Sequence, residues 1–158
     1  MPLSYLNLDR ANLRGCDFSS CQASEVSFHQ ANLQQCNFND ANLKSANFRE
    51  AIVNKSTFIG ANLISVDMLR IVAKDCAFSR ARLTNADMRE GDFESSTFNE
   101  ANLQNANLER ASLSFCNMTE ANLERANINN LRNGPGDHLH RGNANIGGPG
   151  GAGAAGDS

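Results

Sequence analysis

The residues with the richest chemistry in this chain are five cysteines, three histidines and a knot of carboxylates, and their spacing argues against a catalytic or metal centre. Cys16, Cys21, Cys36, Cys76 and Cys116 form no CxxC pair, and none has a histidine beside it, so zinc and iron–sulfur patterns are absent. His138 and His140 form an HxH in a glycine-rich stretch that reads as solvated, and His29 lies far from both. Asp87, Glu90, Asp92 and Glu94 could supply a general acid and base, but such a run reads first as a solvated acidic face. Serines and threonines are scattered without a paired histidine, and no GxSxG, HExxH or phosphate-binding loop occurs. The expectation is a protein that is not an enzyme and carries no cofactor and no metal.

The elements that hold these residues explain the scatter. Every fifth residue from Leu8 to Ile128 is apolar: Leu8, Leu13, Phe18, Ala23, Phe28, Leu33 and Phe38 open the series. Two positions before each sits a smaller residue, most often alanine, as in Ala11, Cys16, Cys21, Val26 and Ala31. An α-helix of 3.6 residues per turn would sweep this pattern around its whole circumference. A flat strand would put successive repeats on opposite faces. A coil that turns a corner every five residues offers the same two positions to a common axis each time, and fixed short-period self-similarity is the mark of a solenoid.

Copies such as Ala31-Asn32-Leu33, Ala41-Asn42-Leu43, Ala61-Asn62-Leu63, Ala101-Asn102-Leu103 and Ala121-Asn122-Leu123 resemble the A(N/D)LXX motif of the pentapeptide-repeat family, over about residues 3–132. That resemblance implies an all-β fold, a right-handed quadrilateral β-helix with four repeats per coil. Residues twenty apart support the square section independently. Phe18, Phe38, Phe58, Phe78 and Phe98 line up in one column, followed by Met118, and are the expected structural core. Leu43, Leu63, Leu83, Leu103 and Leu123 make another, and Cys16, Cys36, Ser56, Cys76, Ser96 and Cys116 a third, of near-isosteres. Six to seven coils at a strand-like spacing of about 4.8 Å make a rod of roughly 30 Å. In this frame the cysteines read as small core hydrophobes. Ile71 with Ala73, and Gly91 with Phe93, read as volume swaps between the small and large inward positions.

Two domains are expected: residues 1–132 as the solenoid, and 133–158 as a disordered, Gly-rich C-terminal tail or linker. That tail holds nine glycines with Pro135 and Pro149, too little apolar surface to offset its ordering entropy. No run of eighteen apolar residues suggests a membrane span. The start, Met1-Pro2-Leu3-Ser4-Tyr5-Leu6, has no basic residues leading into a long apolar run, which points to a cytoplasmic protein rather than a secreted one.

Function should lie where the outer surface departs from the repeat. Ile52, Ile59, Ile64, Leu69 and Val72 stand at outward positions that elsewhere carry polar residues, and Phe115 extends the series. They form the candidate interaction surface. Charge is the second departure. Residues 1–82 carry nine Lys/Arg and seven Asp/Glu, whereas residues 87–124 carry only Arg89 and Arg110 against Asp87, Glu90, Asp92, Glu94, Glu100, Glu109, Glu120 and Glu124. With a net charge of −3 overall and no basic stripe, direct binding to nucleic acid is disfavoured, and the acidic half suits a basic partner.

The expected role is a scaffold that binds a protein partner of unidentified kind, with a homodimer through a coil end or the lateral Ile52/Val72 face as a candidate assembly. The resemblance implies a second reading: some members of the family mimic B-form DNA, bind type II topoisomerases such as gyrase and protect them from fluoroquinolones. This chain departs from that subgroup in its uninterrupted repeats, its lack of a C-terminal helical pattern and its modest charge. A third reading is the targeting or adaptor module of a larger protein, with the tail as linker.

Overall fold

A computed structural model describes residues 2–132. The expected linker at 133–158, with His138 and His140, lies outside the described residues. From Pro2 to Asn130 the chain repeats one five-residue unit: an inward residue, an outward residue that bridges to the neighbouring coils, a second inward residue, and a two-residue turn. The bridges are parallel and join residues twenty apart, as in Asn32↔Ile52, Ile52↔Val72 and Val72↔Asp92. Four repeats therefore close one turn of a β-solenoid.

Pairing is narrower than the strands expected from sequence. Only one residue per repeat bridges, because a turn begins immediately after the second inward residue. Most turns are closed by a bond such as Ala61 N–H to Phe58 C=O (3.1 Å); at Cys36 and Cys76 the N–H goes instead to a serine hydroxyl. The last residue of the turn has positive φ in every repeat: 57° at Glu25, 63° at Lys55, 59° at Phe115. Only Gly15 and Gly60 are glycines there. The left-handed region costs an ordinary residue on the order of 1–2 kcal/mol. What holds it is the stack: Phe58 N–H donates up to Ala77 C=O (2.7 Å), and Thr57 N–H donates down to Cys36 C=O (3.1 Å).

Both inward positions fill the interior. Rings of Phe18, Phe38, Phe58, Phe78 and Phe98 stack face to face at 4.8–4.9 Å with interplanar angles of 3–9°. Phe28 and Phe48, on the opposite face, meet this column edge-on at 5.7–5.9 Å. Where that face changes to Met68 and Met88, Phe93 reaches in from the next face to touch Phe78 (6.0 Å) and Phe98 (5.8 Å). Its ring fills the space beside Gly91: a Cβ there would stand 2.6 Å from Phe93 Cε2 and 3.2 Å from Ile71 Cγ2. The swap between the small and large inward positions is thus a packing fact. Phe18 differs from its column in being only half-buried, because it lies in the first coil.

The cysteines are more than small hydrophobes. Cys36, Cys76 and Cys116 donate their thiol protons to the carbonyls of Leu13, Val53 and Phe93 at 3.0–3.1 Å. The buried hydroxyls of Ser56 and Ser96 do the same to Leu33 and Ala73 (2.7 and 2.8 Å). Ser56 and Ser96 also accept from the backbone N–H of Cys36 and Cys76 (2.9 and 3.0 Å). The third column is therefore a spine of hydrogen-bond donors, which is why Cys and Ser interchange along it.

Candidate interaction surface

Outward asparagines are the default of the repeat, and their task is local. Each turns its Oδ1 to accept the N–H two residues on: Asn32 from Gln34 (3.2 Å), Asn62 from Ile64 (3.1 Å), Asn122 from Glu124 (2.9 Å). Coil-to-coil bonding between them, as from Asn62 Nδ2 to Asn42 Oδ1, is longer at 3.4 Å. Replacing such an asparagine leaves a turn N–H to be satisfied from elsewhere. At Val72 the replacement is visible: Lys74 N–H bonds instead to Asn54 Oδ1 in the coil below (2.9 Å). At Thr57, Asn39 Oδ1 does the same for Ile59 N–H (2.9 Å). Asn99 stands at the equivalent place, but Thr119 N–H is already taken by Asn117 Oδ1 (3.0 Å). Asn99 Oδ1 is accordingly the one buried side-chain N or O atom without a partner among the described residues.

Ile52 and Val72 therefore break the polar surface at a site where the coil has rearranged its capping to allow it. They bridge directly, Ile52 39% exposed and Val72 half-buried, with Asn32 below and Asp92 above. The corner that follows this face carries an open groove of about 280 Å³ lined by Arg14, Gln34, Gln35, Asn54, Lys55, Lys74 and Asp75. Lys74 pairs across the face with Asp92 at 3.5 Å. Phe115, 70% exposed, stands at the same corner further along the rod. An apolar strip edged by cations and carboxylates together is the chemistry this side presents.

The remaining expected surface residues are not brought onto it. Ile59, Ile64 and Leu69 are first residues of three successive turns, so they occupy three other corners, each half-buried. Corner packing against adjacent coils covers much of each side chain, and the six candidate residues do not form one continuous surface. Tyr5 and Leu6 are exposed apolar residues that the periodicity did not single out.

The acidic set is likewise distributed. Asp87 lies on the Phe48 face, with Glu90 and Glu109 at its corner, Asp92 on the Ile52 face and Glu94 at the next corner. Glu100 and Glu120 share the following corner, and Glu124 the last. Asp87 is held by Arg89 (2.7 Å), Glu90 faces Arg70 (3.5 Å), and Asp92 faces Lys74. Burial pushes the Asp87 carboxyl up, but the hydrogen bonds and charge of Arg89 outweigh it and hold the group below the usual carboxylate range. Among the described residues no group of three or more His, Cys, Asp or Glu could hold a metal ion. No helix there is long and apolar enough to cross a membrane.

Comparison with known proteins bears on the fold. The profile of the pentapeptide repeat region matches residues 2–63 and 31–108, and that of pentapeptide repeats in eight copies matches 106–132. No curated protein matches the chain. Among solved structures, a trypsin-treated variant of QnrB1, described as a plasmid-mediated fluoroquinolone resistance protein, is similar over 93% of this chain and 84% of its own, with 16% identity and a TM-score of 0.55. Full-length QnrB1 gives 17% identity, 90% and 73% coverage and a TM-score of 0.51. HetL, described as involved in heterocyst differentiation regulation in the cyanobacterium Nostoc sp. strain PCC 7120, gives 17% identity, 91% and 86% coverage and a TM-score of 0.42.

Proposed function

The chain belongs to the pentapeptide-repeat family, and on that premise we propose that it is a non-enzymatic scaffold whose outer faces bind a protein partner. The observation that carries this is the Ile52–Val72 strip. Two outward polar positions have become apolar in register, and the turn N–H that Val72 leaves uncapped is recovered from Asn54. Isolated exposed apolar residues are ordinary, but a strip edged by Arg14, Lys55, Asp75 and the Lys74–Asp92 pair suits a partner with an apolar stripe and flanks of mixed charge. The solenoid is read as a right-handed quadrilateral β-helix of six to seven coils in the cytoplasm, working alone or as the adaptor part of a larger assembly.

The test is affinity capture from the native host with wild type beside Ile52→Asn/Val72→Asn. Asparagine restores the repeat's own outward residue, so the fold is retained. A partner held by wild type and lost by the double variant supports the reading, and identical captured sets would refute it.

A second reading draws on the likeness to QnrB1 and on the acids distributed around every side of the rod at 87–124. On this reading the rod presents DNA-like charge to a type II topoisomerase. Five of those acids, Glu94, Glu100, Glu109, Glu120 and Glu124, form no ion pair among the described residues. A gyrase supercoiling assay with a fluoroquinolone decides it: no rescue at micromolar protein dismisses the reading.

A further inference from the structure

The corner groove beside the Ile52–Val72 face spans four successive coils, and its floor and rim differ in how far their polar groups are satisfied. Gln34, Asn54 and Lys74 are half-buried and form the floor, whereas Arg14, Gln35, Lys55 and Asp75 are exposed and form the rim. On the floor, Lys74 pairs with Asp92 (3.5 Å), Asn54 Oδ1 accepts Lys74 N–H (2.9 Å) and Gln34 Nε2 donates to Asn32 Oδ1 (3.2 Å). The Asn54 amide nitrogen and the side chains of all four rim residues have no hydrogen-bond or ion-pair partner among the described residues. Lys55 and Asp75 are the informative two. They stand one coil apart in a single column, as do Arg70 and Glu90 at the preceding corner, which pair at 3.5 Å. Lys55 and Asp75 form no such pair, so the groove keeps a free cation and a free anion along its length.

We infer that this groove seats a phosphorylated segment of a partner protein: a phosphoserine or phosphothreonine between Arg14 and Lys55, followed two residues later by an arginine or lysine at Asp75. The inference rests on the reading of the rod as a partner-binding scaffold, and it supplies the chemistry of the bound segment. Charge selects the phosphoryl group. Arg14 and Lys55 lie two coils apart, about 10 Å, on either side of Gln35, and both carry their charge on long stems that converge over it. Two free cations match the charge of about −1.5 to −2 on a phosphoryl group, whereas a carboxylate would leave one of them unmatched. Its oxygens also accept together from the Arg14 fork, the Lys55 ammonium and the Gln35 and Asn54 amides. Lys74 does not compete, because Asp92 already meets its charge.

Length selects an extended segment lying along the corner. From the level of Gln35 to that of Asp75 is again two coils, about 10 Å. Residues two apart in an extended chain point to the same side and lie about 6.7 Å from each other, and the stem of an arginine or lysine spans the remainder. The free Asp75 carboxylate then meets a cation of the ligand rather than Lys55. The groove, at about 280 Å³ and open, falls just below the range of about 300–1,000 Å³ usual for small-molecule sites. It holds a few side chains of a longer ligand rather than enclosing a small one.

The test is a titration of the isotope-labelled 158-residue chain, followed by heteronuclear NMR, which reads side-chain amide groups directly. The ligand is a short alanine peptide carrying phosphoserine and, two residues on, arginine. The side-chain amide signals of Gln35 and Asn54 are expected to shift. Serine in place of phosphoserine should abolish the shifts, and glutamate there should weaken binding about tenfold. Arg14→Gln and Lys55→Gln install the residue this corner already carries at Gln34 and Gln35, so the fold is retained; each should weaken binding about tenfold. Asp75→Arg should reverse the preference, favouring a peptide with glutamate where the first has arginine. Ile52→Asn/Val72→Asn should bind the phosphopeptide as wild type does, so that failure of the groove and failure of the lateral strip are told apart. No shift at Gln35 and Asn54 with millimolar peptide, equal binding of the glutamate peptide, or undiminished binding by Arg14→Gln/Lys55→Gln would each overturn the inference.

Discussion

Truncating Phe58 to alanine probes the stacked interior at its centre. The ring is fully buried, face to face with Phe38 (4.8 Å, 4°) and Phe78 (4.9 Å, 5°), and edge-on to Phe48 (5.9 Å, 78°). Removing a buried phenylalanine costs about 3–5 kcal/mol, the upper end applying where the walls cannot close on the void. Here they cannot: Phe58 N–H is tied to Ala77 C=O above at 2.7 Å and Thr57 N–H to Cys36 C=O below at 3.1 Å. Three aromatic contacts, each worth about 0.5–1.5 kcal/mol beyond burial, vanish together. The expected loss is about 4–5 kcal/mol. Phe18 supplies the internal comparison. It is half-buried and, among the described residues, makes ring contacts with Phe38 (4.9 Å) and Phe28 (5.7 Å) alone, so Phe18→Ala should cost about half as much. Urea unfolding followed by far-ultraviolet circular dichroism measures both. Equal losses at the two sites, within about 1 kcal/mol, would refute the reasoning, since the cost would then not depend on coils stacked on both sides.

Other substitutions probe separate features. Gly91→Ala should cost about 1–3 kcal/mol by overpacking against Phe93, and Phe93→Leu in the same chain should recover much of it; additive losses in a double-mutant cycle would contradict the swap. Burial pushes the thiols of Cys76 and Cys116 up to about 12, so they should resist alkylation in the native state at pH 8. Because the unfolded thiol ionises near pH 9 and the folded one does not, this contribution to stability is complete below pH 9. Each thiol should forfeit about 1.4 kcal/mol per pH unit as pH rises from 9 toward 12, measurable in urea midpoints against Cys76→Ser. Asn62→Ala, which loses the turn bond from Ile64 N–H, should cost only about 1 kcal/mol by the same unfolding assay.

The Cys/Ser spine shows how far pattern reading reaches. The alternation at 16, 36, 56, 76, 96 and 116 was visible as a column, but a pattern of sizes does not reveal that the five side chains from Cys36 on each donate to a carbonyl of the coil below. Asn54 and Asn39 carry a similar lesson. Each lies in a turn and looks like any other polar corner residue, yet each caps a turn one coil away because Val72 or Thr57 cannot. A usable signal existed: an asparagine twenty residues before the turn residue whose own repeat lacks one. No such signal marked Arg132, whose guanidinium reaches the carbonyls of Glu90, Gly91 and Arg110.

Sequence alone determined the five-residue unit, the twenty-residue turn and the inward columns, because a repeat that buries the same two positions each time writes its period directly into the order of apolar residues. It could not locate the exposed surface. The twenty-residue spacing already put Ile52 on one face with Val72, but only the stacked coils set Ile59, Ile64 and Leu69 half-buried at three separate corners. The left-handed residue at every turn was hidden as well, since Glu, Arg, Ser and Asn there give no glycine signal; closure of the coil imposes it. Burial, capping and backbone sign depend on the residue twenty positions away, and that neighbour exists only once the chain has wound.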